Sequence, residues 1–133
     1  MTTPMAAKPP AAPLLVWWIL WFAMTTGLIL QRVFIGSKVN VSSNTIGYIA
    51  LAPLVISALI RFLVLPRLKT KAKAFPFFVA GLATAEACGL TGLFLGGSHR
   101  DPIFAVGLGM LLAYVPIFVR NYDGGGNTSP FRQ

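Results

Sequence analysis

The sequence predicts an all-α membrane protein with four transmembrane helices and both termini in the cytoplasm, on three observations. Apolar residues make up 56% of the 133 and charged residues only 11%, against roughly 25% charged in an average soluble domain. Four apolar runs are each long enough to cross a hydrocarbon core of about 30 Å at about 1.5 Å per residue. The basic residues lie between and beside those runs, or, as with Arg32 and Arg61, near the end of one. So little polar surface cannot coat a globule in water, which excludes an ordinary cytosolic enzyme, a disordered chain and a disulfide-stapled secreted domain.

Residues 1–13, MTTPMAAKPPAAP, are rich in proline and alanine without periodicity and read as a disordered leader. The transmembrane domain covers 14–119. Its first span, about 14–35, carries no charge before Arg32. It exceeds a signal-peptide core in length, holds three tryptophans and has no A-x-A-like cleavage site, so it reads as a retained anchor. A polar loop, 36–44, offers Asn44 or Thr45 as a cap for the second span, about 45–65, in which Pro53 predicts a kink. A basic loop, 66–75, leads to the third span, about 76–96. After the turn GSHRD, Asp101 and Pro102 form an N-cap and first-turn pair for the fourth span, about 102–119. Residues 120–133 are glycine-rich and read as a flexible tail. None of the runs shows the period-two alternation of a membrane strand.

Orientation follows from the bases. If loop 66–75 is cytoplasmic, Lys8, Arg61, Arg67, Lys69, Lys71, Lys73, Arg120 and Arg132 are inside, and only Arg32, Lys38 and Arg100 are outside. That satisfies the positive-inside rule and fits a bacterial inner membrane protein. Trp17 and Trp18 then fall at the inner interface and Tyr48 near the outer one. Arg61 can snorkel to lipid headgroups, and Arg67, Lys69, Lys71 and Lys73 can attract anionic lipid.

Glu86 is the one acid within a span, ten residues into the third. A carboxylate at that depth costs at least about 2.5 kcal/mol on insertion scales. Its helix is lined with small residues: Gly81, Ala85 and Gly89 repeat every four residues, and Gly92 and Gly96 form a GxxxG pair. Ala105, Gly109 and Ala113 make a matching ladder in the fourth span. Such ladders let helices approach closely, so Glu86 is expected to face protein. Counting from the span ends puts Ser57, Thr25 and Thr26 near its depth, forming with Thr84 a polar layer around it. Two readings stand beside each other. In one, Glu86 is protonated and hydrogen-bonds helices together, within this chain, in a homo-oligomer or against other membrane subunits. In the other, it is a reversible proton or sodium site.

The segment GLATAEACGLTGL, Gly81 to Leu93, resembles the carboxylate-bearing helix of the rotary ATP synthase proteolipid, the c subunit. Both place a mid-membrane acid among small residues with a glycine just beyond. More loosely, 45–96 is similar in layout: a helix, a basic loop, then the acid-bearing helix. The resemblance implies ion translocation with Glu86 as the ion-binding carboxylate.

Other chemistry is thin. The sole cysteine, Cys88, lies in an apolar run and reads as a buried packing residue, and the sole histidine, His99, cannot build a metal cluster alone. His99, Arg100 and Asp101 share a short turn with no shielded nucleophile. Trp17, Trp18 and Trp21 read as interface anchors rather than a cofactor box. Asn40 and Asn127 fit the glycosylation pattern, but the first lies too near the membrane and the second is predicted inside. The net charge of +8 is not gathered on a nucleic-acid-binding face. The expectation is therefore a non-enzymatic multi-pass protein in the lipid bilayer, without cofactor or metal.

Overall fold

The computed structural model describes residues 11–35, 49 and 51–122, and every regular element among them is helical. Helix α1 (Leu14–Phe34) follows Pro13, whose extended backbone starts it without a side-chain cap. Helix α2 (Leu51–Leu59) runs on through a π turn, Ile60–Val64, and a 3-10 turn, Leu65–Arg67. Helix α3 spans Lys71–Leu95 and helix α4 Arg100–Ala113, the latter succeeded by a 3-10 helix, Pro116–Asn121. Among the described residues three stretches, Leu14–Phe34, Lys71–Leu95 and Gly97–Asn121, are long and apolar enough to cross a membrane. The expected second span, 45–65, begins outside the described residues. So do the 36–44 loop with Asn40, the caps Asn44 and Thr45, Tyr48, and Asn127 in the tail.

Several boundaries differ from expectation. Lys71 and Lys73 open the first turns of α3 rather than lying in a loop. Asp101 does not cap α4: the helix starts two residues earlier than expected, at Arg100, and the Asp101 carboxylate instead receives an N–H from Arg32 of α1 at 2.6 Å. The second segment has an irregular turn at Ile60–Val64, while Pro53 falls in the first turn of the described α2 and the turn before it lies outside the described residues. Pro66 supplies the reason. Lacking an N–H, it cannot continue the i→i−4 ladder, and Leu65 donates five residues back, to Ile60. Pro116 acts likewise on the fourth span, so α4 ends at Ala113 and the chain resumes as a tighter helix.

The segments pack as an up-and-down bundle. Trp17 meets Phe78, and Leu28 covers Gly89, so α1 and α3 run parallel. Gly81 meets Tyr114, Gly89 meets Gly107 and Gly92 meets Ile103, so α3 and α4 run antiparallel in constant register. The link from α3 to α4 turns on Gly97, the positive-φ glycine at φ 51°. One end of the bundle carries Arg61, Lys69, Lys71 and Lys73 (the basic end), and the other carries the Arg32–Asp101 pair.

Aromatic side chains of the core gather at the basic end. Trp17 is fully buried there, against Phe75 and Phe78 of α3 and Phe118 and Tyr122 beyond α4. It is a core residue rather than the interface anchor the sequence suggested, because the break at Pro116 folds Phe118 and Tyr122 back over it. By contrast Leu15, Phe22 and Val33 of α1 are exposed, as suits side chains facing a bilayer.

Candidate functional site

Glu86 is half-buried in the middle of α3. Its register is set by the glycines around it. Gly81, Ala85 and Gly89 form the buried face that receives α4, while Glu86 stands on the flank of that face. No hydrogen bond or ion pair joins its carboxyl to another described residue. Small residues border it along α3: Ala83 is exposed and Ala87 is half-buried.

The expected polar layer is divided. Ser57 is fully buried but belongs to another flank of α3, where its hydroxyl donates to the Gly81 carbonyl at 2.8 Å. Gly81 and Glu86 are about 140° apart around a helix of 3.6 residues per turn. Thr84 bonds back within its own helix, to the carbonyls of Ala80 and Gly81, both at 3.0 Å. Thr25 does share the level of Glu86: the register that sets Trp17 on Phe78 and Leu28 on Gly89 carries Thr25 to residue 86. Its buried hydroxyl has no hydrogen-bond partner among the described residues. Thr26 is half-buried beside it.

The small-residue ladders also separate. Gly81, Ala85, Gly89 and Gly92 are buried against α4, α2 and α1, and Gly96 fits the turn into α4. Ala105 and Gly109 face outward, and a Cβ on Gly109 would meet nothing within 4 Å. The face that α4 turns to α3 is Ile103, Gly107 and Tyr114. The outward ladder's last member, Ala113, contributes its backbone carbonyl instead.

Two features were not anticipated. The first is a buried polar knot on the axis of the bundle. The Tyr114 hydroxyl donates to the Ser57 carbonyl at 2.7 Å, and the Ser57 hydroxyl lies 3.4 Å from the Tyr114 oxygen. The signal for it was a tyrosine mid-run, since a buried phenol needs a partner. The second is a pair of side-chain donors to backbone carbonyls in the last turn of α4. Trp21 Nε1 donates to Leu111 O at 2.8 Å, and Arg61 Nε donates to Ala113 O at 2.7 Å. Arg61 is thus held inside the basic end, its guanidinium carbon 4.4 Å from the Phe118 ring centre. Arg67, Lys69 and Lys73 are exposed around it, and Lys71 is half-buried.

Among the described residues no group of acids, histidines and cysteines is placed to hold a metal ion. No protein-family model, curated protein or solved structure matches the chain.

Proposed function

We propose that the chain is a non-enzymatic multi-pass subunit of a membrane assembly, in which the Glu86 flank of α3 receives a polar group from a neighbouring helix. The neighbour is a second copy or another subunit. One observation carries this reading: a mid-helix carboxyl, half-buried and without a hydrogen-bond partner in the described chain. In hydrocarbon such a group costs at least about 2.5 kcal/mol, and a partner that hydrogen-bonds the protonated acid offsets part of that. The small side chains beside it let a helix come close. In this reading the basic end faces the cytoplasm of a bacterial cell, both termini lie on that side, and the second segment completes a fourth span.

The experiment is the assembly state of Glu86→Gln and Glu86→Leu in mild detergent. Glutamine keeps a hydrogen-bonding group and retains the assembly, whereas leucine weakens it. Unchanged migration of the leucine variant rejects the proposal.

A second reading is favoured by the Thr25 hydroxyl, buried and unpartnered at the level of Glu86. There Glu86 takes up and releases a proton or sodium ion, as the resemblance of 81–93 to the proteolipid suggests. Its mark is loss of ion flux in vesicles with Glu86→Gln at unchanged assembly. Equal flux in wild type and variant rejects it.

A further inference from the structure

At the basic end, the π turn, the chain after Pro66 and the 3-10 helix after α4 enclose a cavity of about 450 Å³ that opens to the surface. Its walls bring together Arg61, Lys69, Asn121 and Tyr122, with Phe118 and Leu68 as apolar surface. Two cations line it, and no acid among the described residues does. Arg61 is half-buried, and among the described residues no carboxylate pairs with it. It is nevertheless fixed: Nε donates to Ala113 O at 2.7 Å and the guanidinium lies over Phe118. Its other N–H groups have no hydrogen-bond partner among the described residues. A guanidinium anchored through Nε has already lost its rotamer freedom, so binding an anion orders little more. Lys69 is exposed and without an ion-pair partner among the described residues, free to close on the same anion from the rim. Asn121 adds an amide donor. The volume exceeds what a lone small anion fills and falls within the range of about 300–1,000 Å³ for ligand pockets.

We infer that this cavity binds a phosphate group, with Arg61 supplying a planar pair of donors and Lys69 a second positive charge. The ring of Phe118 and the side chain of Leu68 then contact the carbon skeleton that bears it. Arginine suits this task because its fork matches two phosphate oxygens at once. The phosphate comes from a lipid headgroup or from a free phosphate compound. The inference does not depend on Glu86 or on the assembly proposed above.

The test compares full-length protein with Lys69→Gln and Lys73→Gln. Both remove one exposed lysine, and only the first alters the cavity. Each is placed in mixed micelles with equal phosphatidylglycerol and phosphatidylcholine, and retained lipid is counted by native mass spectrometry. In a second arm, delipidated protein is titrated with inorganic phosphate while its melting temperature is followed. A lipid site gives preferential retention of phosphatidylglycerol, roughly fivefold weaker in Lys69→Gln and unchanged in Lys73→Gln. A site for free phosphate gives a rise in melting temperature that Lys69→Gln loses and Lys73→Gln keeps, without lipid preference. Equal losses in the two variants mean diffuse attraction to a basic surface and overturn the inference. So does the absence of both responses in the wild type.

Discussion

Gly107 of α4 lies against Gly89 of α3 so closely that a Cβ on Gly107 would stand 2.6 Å from the Gly89 nitrogen and 2.7 Å from its Cα. Those are backbone atoms of a packed helix and cannot turn aside as a side chain can. Gly107→Ala therefore forces α3 and α4 apart and lowers stability by about 1–3 kcal/mol, the usual range for overpacking. Gly109, two residues on, has open space where its Cβ would be. Gly109→Ala is neutral or stabilising by up to about 1 kcal/mol, since alanine is the better helix former. Thermal unfolding in detergent separates the two, and equal melting temperatures would contradict the close crossing.

The Ser57–Tyr114 knot predicts coupling. Tyr114→Phe removes the donor to the Ser57 carbonyl, and Ser57→Ala removes the donor to the Gly81 carbonyl. Hydrogen bonds between helices in membranes average about 0.6 kcal/mol and reach about 1.7. Each single change should cost about that much. The double variant should cost less than the two together, because the hydroxyls also face each other at 3.4 Å. Strict additivity in a double-mutant cycle would show that the two groups act separately.

The contrast between Gly107 and Gly109 also shows where sequence reading stops. Hydropathy and run length placed both ends of α1 and the C-terminal end of α3 to within a residue, because an uninterrupted apolar helix needs no help from elsewhere to satisfy its backbone, but they missed the five residues from Lys71 by which α3 begins before its apolar run. The pattern of small residues in α4 was visible, but Ala105–Gly109 and Ile103–Gly107 lie on opposite faces with similar composition. Only the register against Gly81, Gly89 and Gly92 selects between them. Prolines divided in the same way. Pro76 sits inside an unbroken α3, whereas Pro116 follows the end of α4. The second outcome is accompanied by donors far away in sequence, Trp21 and Arg61, that donate to Leu111 O and Ala113 O at the end of α4. The acid at Glu86 was legible as an anomaly. Of its expected companions Thr25 shares its level, whereas Ser57 and Thr84 turn their hydroxyls to backbone carbonyls elsewhere on α3.

Arg32 and Asp101 join the far ends of α1 and α4 at 2.6 Å, with their side chains 31% and 68% exposed. Exposed pairs contribute about 0–1 kcal/mol, and Arg100 stands 3.8 Å away as a second cation for the same carboxylate. Asp101→Asn is accordingly expected to move the melting temperature by no more than a few degrees, and the difference should vanish in high salt. A large, salt-independent loss would mean that the pair holds the helix ends together rather than decorating them.

Tyr122 gives the alkaline limit of the fold. Its hydroxyl donates to the Leu65 carbonyl at 2.7 Å, tying the chain after α4 to the turn at Pro66. Burial pushes the phenol above its ordinary value, and the nearby Arg61 charge pulls it part of the way back. The folded state therefore holds this proton more tightly than the unfolded chain, where the group titrates near about 10. Its contribution is complete below that pH and is lost as pH rises through the higher folded value, when the donor to Leu65 disappears. Tyr122→Phe removes the same hydrogen bond at every pH. The variant should begin less stable at neutral pH, by about 1 kcal/mol, and the gap to wild type should narrow above about pH 10. Lysines titrate in the same range in both proteins, so the difference between the two curves isolates the phenol. A gap that stays constant to the alkaline limit would show that Tyr122 does not ionise with the fold.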